Sequence, residues 1–96
     1  MKVVICGIPY TVQFKRDHFD SDTHFGQVDF KRSEITINSE VSVAVQRETL
    51  CHEILHAILI HIGREDLSID EQLVTVLSNA INTIFMPRID WELEDN

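Results

Sequence analysis

Residues 42–62 read SVAVQRETLCHEILHAILIHI, and the order of apolar and polar side chains within them sets the expectation for the whole fold. Ala44, Cys51, Ile54, Leu55, Ile58 and Ile62 return to one side at helical spacing. Ser42 is placed to cap the N-terminus of this helix, and Gly63 is placed to stop it. From Ile54 to Ile62 the helix is apolar nearly all round, which predicts a central, mostly buried element.

Upstream of this helix the pattern changes to that of strands. Val3 to Cys6 is β-rich, with Cys6 read as a core residue, and Gly7-Ile8-Pro9 reads as a turn. Tyr10, Val12 and Phe14 alternate with Thr11, Gln13 and Lys15, the period of a half-buried strand. Residues 16–24 are polar and suit a loop. Val28 with Phe30, and Ile35 with Ile37, mark two further strands, with a hairpin turn at Lys31-Arg32-Ser33-Glu34. Downstream, Leu73, Val74, Leu77, Ala80, Ile81, Ile84 and Phe85 form an apolar stripe that ends before Pro87. The expectation is one α+β domain over residues 1–96. A short three- to four-stranded, mostly antiparallel sheet (within about 2–38) packs on helices at about 42–62 and 70–86, and an acidic tail covers 88–96.

Within the central helix, His52-Glu53-Ile54-Leu55-His56 is an HExxH sequence. Helix positions i and i+4 lie one turn apart on the same face. Two imidazoles so placed can bind one zinc ion at the ~2.0–2.1 Å that zinc–nitrogen bonds require. Glu53 sits beside that face, where a carboxylate can accept a proton from metal-activated water and pass it to a leaving amine. The site needs a third protein ligand, with a fourth position left for water. A metzincin-type third histidine is ruled out, because Leu59 and Ile62 stand where that pattern needs Gly and His. His61 lies about 140° round the helix from His56 and is poorly placed. A carboxylate at the start of the second helix is the better candidate. Glu71 is the first choice, with Asp70, Asp66 and Glu65 as alternatives, although Ser68-Ile69-Asp70-Glu71 also reads as a capping box.

Other polar residues have plainer readings. Cys51 adjoins His52 but points toward the apolar stripe as a small core residue. His18 and His24 flank an Asp-rich loop that suits solvent better than a second metal. Tyr10 could polarise a substrate carbonyl, but as a strand residue it is better read as a core anchor. Trp91 suits either packing on the sheet or an interface.

The segments Glu48 to Ala57 and Asp70-Glu71-Gln72-Leu73-Val74 resemble the small phage- and prophage-encoded zincin-like metallopeptidases related to the ImmA/IrrE group. The Gly7 to Val12 opening and the paired stretches Gly26 to Asp29 and Ile35 to Asn38 also resemble such proteins. The resemblance implies a minimal zincin-like fold, with a short sheet against the active-site helix and a second helix that supplies a glutamate. It implies His52, His56 and Glu71 as ligands of a zinc ion and Glu53 as catalytic acid and base. The activity it implies is zinc-dependent hydrolysis of peptide bonds in a peptide or protein substrate. The competing expectation is a non-catalytic zinc-binding module that docks a phage or host protein.

Charge narrows the range of partners. The chain carries a formal −8. Residues 1–47 balance six basic against six acidic residues, so the second half, with two basic and ten acidic residues, holds all of it. That disfavours nucleic acid and anionic membrane surfaces, which need lysine and arginine. No apolar run reaches the ~18 residues of a membrane span. Two separated cysteines and a strand-like N-terminus lead to an expectation of reduced thiols and a cytoplasmic protein. A domain this small leaves one wall of a cleft thin, so a homodimer or a protein partner is expected to complete it.

Overall fold

The computed structural model describes residues 1–19 and 23–85. The acidic tail and Trp91 lie outside the described residues. Four strands, β1 (Lys2–Ile5), β2 (Ile8–Lys15), β3 (Gly26–Asp29) and β4 (Glu34–Asn38), precede three helices, α1 (Val43–His61), α2 (Glu65–Ser68) and α3 (Glu71–Phe85). The class is α+β, as the sequence suggests. The sheet runs in the order β1-β2-β4-β3.

Two of its three pairings are antiparallel hairpins. The turn between β1 and β2 is Cys6-Gly7, with φ +50° and +82°, while Ile8 and Pro9 belong to β2 and pair with Ile5 and Val4. This corrects the turn expected at Gly7-Ile8-Pro9, and it puts Cys6 at an exposed corner instead of the core. A two-residue turn with both central φ positive matches the twist of the flanking strands, and that geometry takes Cys6 out of the strand. In the second hairpin Asp29 Oδ1 accepts from the Lys31 and Arg32 amides at 3.0 and 3.1 Å and closes a turn over residues 30–33, one residue earlier than expected: Phe30 leaves the strand, and Glu34 belongs to β4 and pairs with Asp29. The middle pairing, β2 with β4, is parallel, from Thr11↔Glu34 to Lys15↔Asn38. The sheet is therefore mixed, because β4 enters between β2 and β3 instead of extending a meander.

One face of this sheet meets α1. Ile5, Tyr10, Val12, Ile35 and Ile37 close a core with Leu50 and Ala57, supported by Ile54 and Ile58. The opposite side of α1 carries Leu55 and Leu59, which pack on Val74 of α3 and Leu67 of α2. The all-round apolar character of residues 54–62 thus corresponds to burial from two sides. At the helix ends Ser42 accepts from the Val45 amide, and Gly63, at φ +81°, lets the Gly63 and Arg64 amides return to Ile60 and Leu59. That is the left-handed stop expected of a C-terminal glycine. Ala44 is exposed, and Ile62, just past the helix, is 57% exposed; Gln46 and Glu53 are buried in their stead. Gln46 Nε2 donates to the Val41 carbonyl at 2.9 Å, so its burial is compensated.

Helix α3 turns differently from its apolar stripe. Val74 and Ser78 are buried, whereas Leu77 is 40% and Ile84 67% exposed. The inward face is set by the close approach of α1, where Cys51 Sγ–H donates to the Ser78 carbonyl at 3.4 Å. A small serine there lets the helices approach. Among the described residues no helix is long and apolar enough to cross a membrane. The adjacent valines of α3 test this orientation. Val74→Ala should cost about 2 kcal/mol, from lost transfer energy and a cavity. Val76→Ala should stay within about 0.5 kcal/mol. Urea unfolding of both variants measures the difference.

Candidate metal centre

The i, i+4 geometry of α1 brings His52 and His56 together with their Nε2 atoms 3.2 Å apart. The first residue of α3 completes the group: Glu71 Oε1 lies 2.9 Å from His56 Nε2, and Oε2 lies 3.1 Å from His52 Nε2. Three donors around a tetrahedral zinc with ~2.05 Å bonds stand about 3.3 Å apart. The two histidine nitrogens are close to that spacing, each has one Glu71 oxygen at a similar distance, and one donor atom from each of the three residues lies within 4.8 Å of the others, so His52, His56 and Glu71 could hold a metal ion.

Local structure explains why Glu71 reaches the site. The glycine stop of α1 and the short helix α2 reverse the chain between residues 62 and 70. Arg64 holds Asp66 in a two-pronged pair at 3.0 and 2.9 Å. Asp70 Oδ1 accepts from the Leu73 amide and caps α3. Asp66 and Asp70 are thereby occupied, and Glu65 is an exposed residue at the start of α2. The capping box expected from Ser68 is not formed, because Asp70 does that work. Ser68 is buried instead, with its Oγ 3.1 Å from His56 Nδ1 and 3.4 Å from the His56 carbonyl. The hydroxyl donates to that carbonyl and accepts from Nδ1–H, which leaves the His56 Nε2 lone pair facing Glu71 and His52. An outer partner of this kind fixes the tautomer of a metal-binding histidine.

The electrostatics favour a cation at the centre of the triangle. An unprotonated Nε2, a second imidazole nitrogen and two carboxylate oxygens converge within about a hydrogen-bond length. Their lone pairs repel unless a proton or a metal ion lies between them. Burial holds the His56 imidazole below its ordinary pKa, against the pull of Glu71, which favours the neutral form that binds metals.

Glu53 is buried, 9% exposed, beside this group. Burial, reinforced by the Glu71 carboxylate, pushes its pKa up from an ordinary 4.5 to about 7. Its neighbour across the sheet interface is Gly26 of β3. A Cβ on Gly26 would overlap the Thr49 side chain and stand 3.2 Å from Glu53 Cγ. A glycine inside a strand often marks such a close approach. It was the one available signal for a residue that the HExxH reading misses.

These groups floor a cleft of about 650 Å³. Edge strand β3 and its flanks supply His24, Phe25, Gly26, Val28 and Phe30, and α3 supplies Thr75 and Asn79. Glu71, 68% exposed, stands at its mouth, so one side of the triangle is open to solvent. The other candidates fall elsewhere. Tyr10 is fully buried, its phenol 2.6 Å from His61 Nε2, so both serve the core at the far end of α1. Burial pushes the Tyr10 phenol and the Cys51 thiol up. His18 lies 3.1 Å from the Gln27 side chain, and His18 and His24 both pack on Phe19. Among the described residues His52, His56 and Glu71 are the one group that could hold a metal. Comparison with protein-family models, curated proteins and solved structures returned no match.

Two outcomes follow from this geometry. Isothermal titration with zinc should show binding lost in Glu71→Ala and kept in Asp66→Ala and Asp70→Ala, with Ser68→Ala about tenfold weaker. Stability of the metal-free protein should depend on pH through Glu53. Below pH 4.5 both folded and unfolded chains hold its proton, so burial carries no charge penalty. As pH rises from 4.5 toward 7 the unfolded chain ionises first and stability falls, by up to about 3 kcal/mol. Glu53→Gln should remove that slope in urea melts across the range.

Proposed function

We propose that this chain is a zinc-dependent peptidase with a minimal zincin-like fold. The observation that carries the reading is the pairing of two features in one cleft: a group of three metal-ligating side chains with donor atoms within 4.8 Å of one another, and a buried glutamate next to it. His52, His56 and Glu71 would hold the zinc. When bound, zinc supplies Lewis-acid polarisation of a carbonyl and lowers the pKa of water.

The remaining work falls to the chain's own residues. Glu53 takes up a proton from the attacking water and delivers it to the leaving nitrogen. Glu53 lines the same cleft as the three ligands, within reach of a water placed over them, which suits both halves of that transfer. Ser68 keeps the His56 ring in the orientation that presents Nε2. Strand β3 has a free edge, because it pairs only with β4 in the sheet order. An extended substrate can add to that edge through backbone hydrogen bonds, with apolar side chains against Phe25, Val28 and Phe30. The two free thiols, Cys6 and Cys51, fit a reducing cytoplasmic setting.

The alternative is a non-catalytic zinc-binding module that docks a protein. It is favoured by the exposed apolar side chains Ile69, Val76, Leu77 and Ile84 along α3 and its approach. Metal analysis with a peptide-library digest separates the two. The peptidase reading expects about one zinc per chain and cleavage that falls at least about a hundredfold in Glu53→Gln, with zinc retained. Zinc without cleavage in either protein would favour the docking module, and absence of metal binding would remove both.

A further inference from the structure

The walls of the cleft are uneven in charge. Among the described residues, three carboxylates line it, Glu48, Glu53 and Glu71, and no lysine or arginine does; His24 is the one basic side chain there besides the metal pair. Glu71 and Glu53 are accounted for by the proposed centre, where a dication offsets their two charges. Glu48 is not. It is exposed, lines the same cleft, and forms no ion pair among the described residues. Its position on α1 is one turn before His52, on the same helix face, about 6 Å along the axis. An extended peptide advances about 3.3 Å per residue. A chain laid along the cleft from His52 toward Glu48 therefore brings a side chain to Glu48 about two residues from the bond over the metal. Glu48 and the nine-tenths buried Glu53 line one and the same cleft, so the negative charge belongs to a recessed surface. The net charge of −8 adds a long-range field of the same sign.

We propose that Glu48 makes the cleft selective for peptides that carry a lysine or arginine about two residues from the scissile bond, beside an apolar residue seated on Phe25, Val28 and Phe30. This rests on the peptidase reading for the cleavage and on the cleft alone for the binding, so the two are tested separately. Three fluorescein-labelled ten-residue peptides share one apolar centre and carry Lys, Gln or Glu at the second residue on both sides of it. Anisotropy measures their binding to the zinc-loaded Glu53→Gln protein, and kcat/KM is measured with the wild type. The Lys peptide should be preferred over the Glu peptide by about fivefold or more in both measurements. Glu48→Gln should reduce that ratio at least about threefold. Glu65→Gln, which removes the same charge away from the cleft, should leave the ratio as it was. Raising salt to 0.5 M should shrink it. Cleavage without a charge preference, or a preference that survives Glu48→Gln, overturns this proposal and leaves the peptidase standing. A Glu48-dependent preference in binding without any cleavage keeps the proposal and overturns the peptidase. Absence of both binding and cleavage overturns both.

Discussion

Helix α1 is buried from two sides, and everything else in the molecule is arranged around that constraint. Its sheet-facing side carries Leu50, Ile54, Ala57 and Ile58, and its other side carries Leu55 and Leu59 against α2 and α3. Little room remains for polar groups. His52, Glu53 and His56 occupy the sector where β3 and α3 stop short of closing over the helix. The cleft is the gap between those two covering elements, and Gly26 sets its floor by letting β3 lie against Thr49 and Glu53. Placement of the two histidines follows from this packing, because both project from a helix held on both flanks, while Glu71 comes from the start of α3.

Within that sector the governing interaction is electrostatic. Two imidazole nitrogens and a carboxylate converge at 2.9–3.2 Å, and a second carboxyl is buried beside them. In a partly dehydrated cleft such a gathering of lone pairs and negative charge is unfavourable by itself. A dication turns the same arrangement into an attractive one. The acidic balance of the chain's second half has the same explanation in part: Glu53 and Glu71 belong to a centre that calls for positive charge, and Glu48 extends the negative wall along the cleft.

Several elements of the fold were legible in order and type but not in arrangement. Alternation in residues 10–14 and 35–37 marked β2 and β4, yet alternation is the same for parallel and antiparallel neighbours, so their parallel pairing left no trace. The apolar residues of α3 lie on more than one side, and periodicity alone favoured Leu77 and Ile84 over Ser78. Packing reversed that preference: Ser78 is buried against α1, where Cys51 donates to its carbonyl. Ser68 was hidden for a related reason. A serine three residues before a glutamate reads as a cap, and only the reversal of chain at residues 62–70 carries it under His56 instead.

The sequence by itself determined that two imidazoles share one helix face with a glutamate beside them, that this helix is surrounded by apolar contacts, and that strands precede it. These are consequences of the helix and strand periods, which act over a few neighbouring residues. Tertiary structure decided which carboxylate joins the histidines, which side of α3 turns inward, and which strand lies open beside the cleft. Those outcomes depend on contacts between residues far apart in the chain, such as Glu71 with His52, Ser68 with His56, and Gly26 with Glu53. No local period encodes them; they arise when α1 is covered from both sides at once.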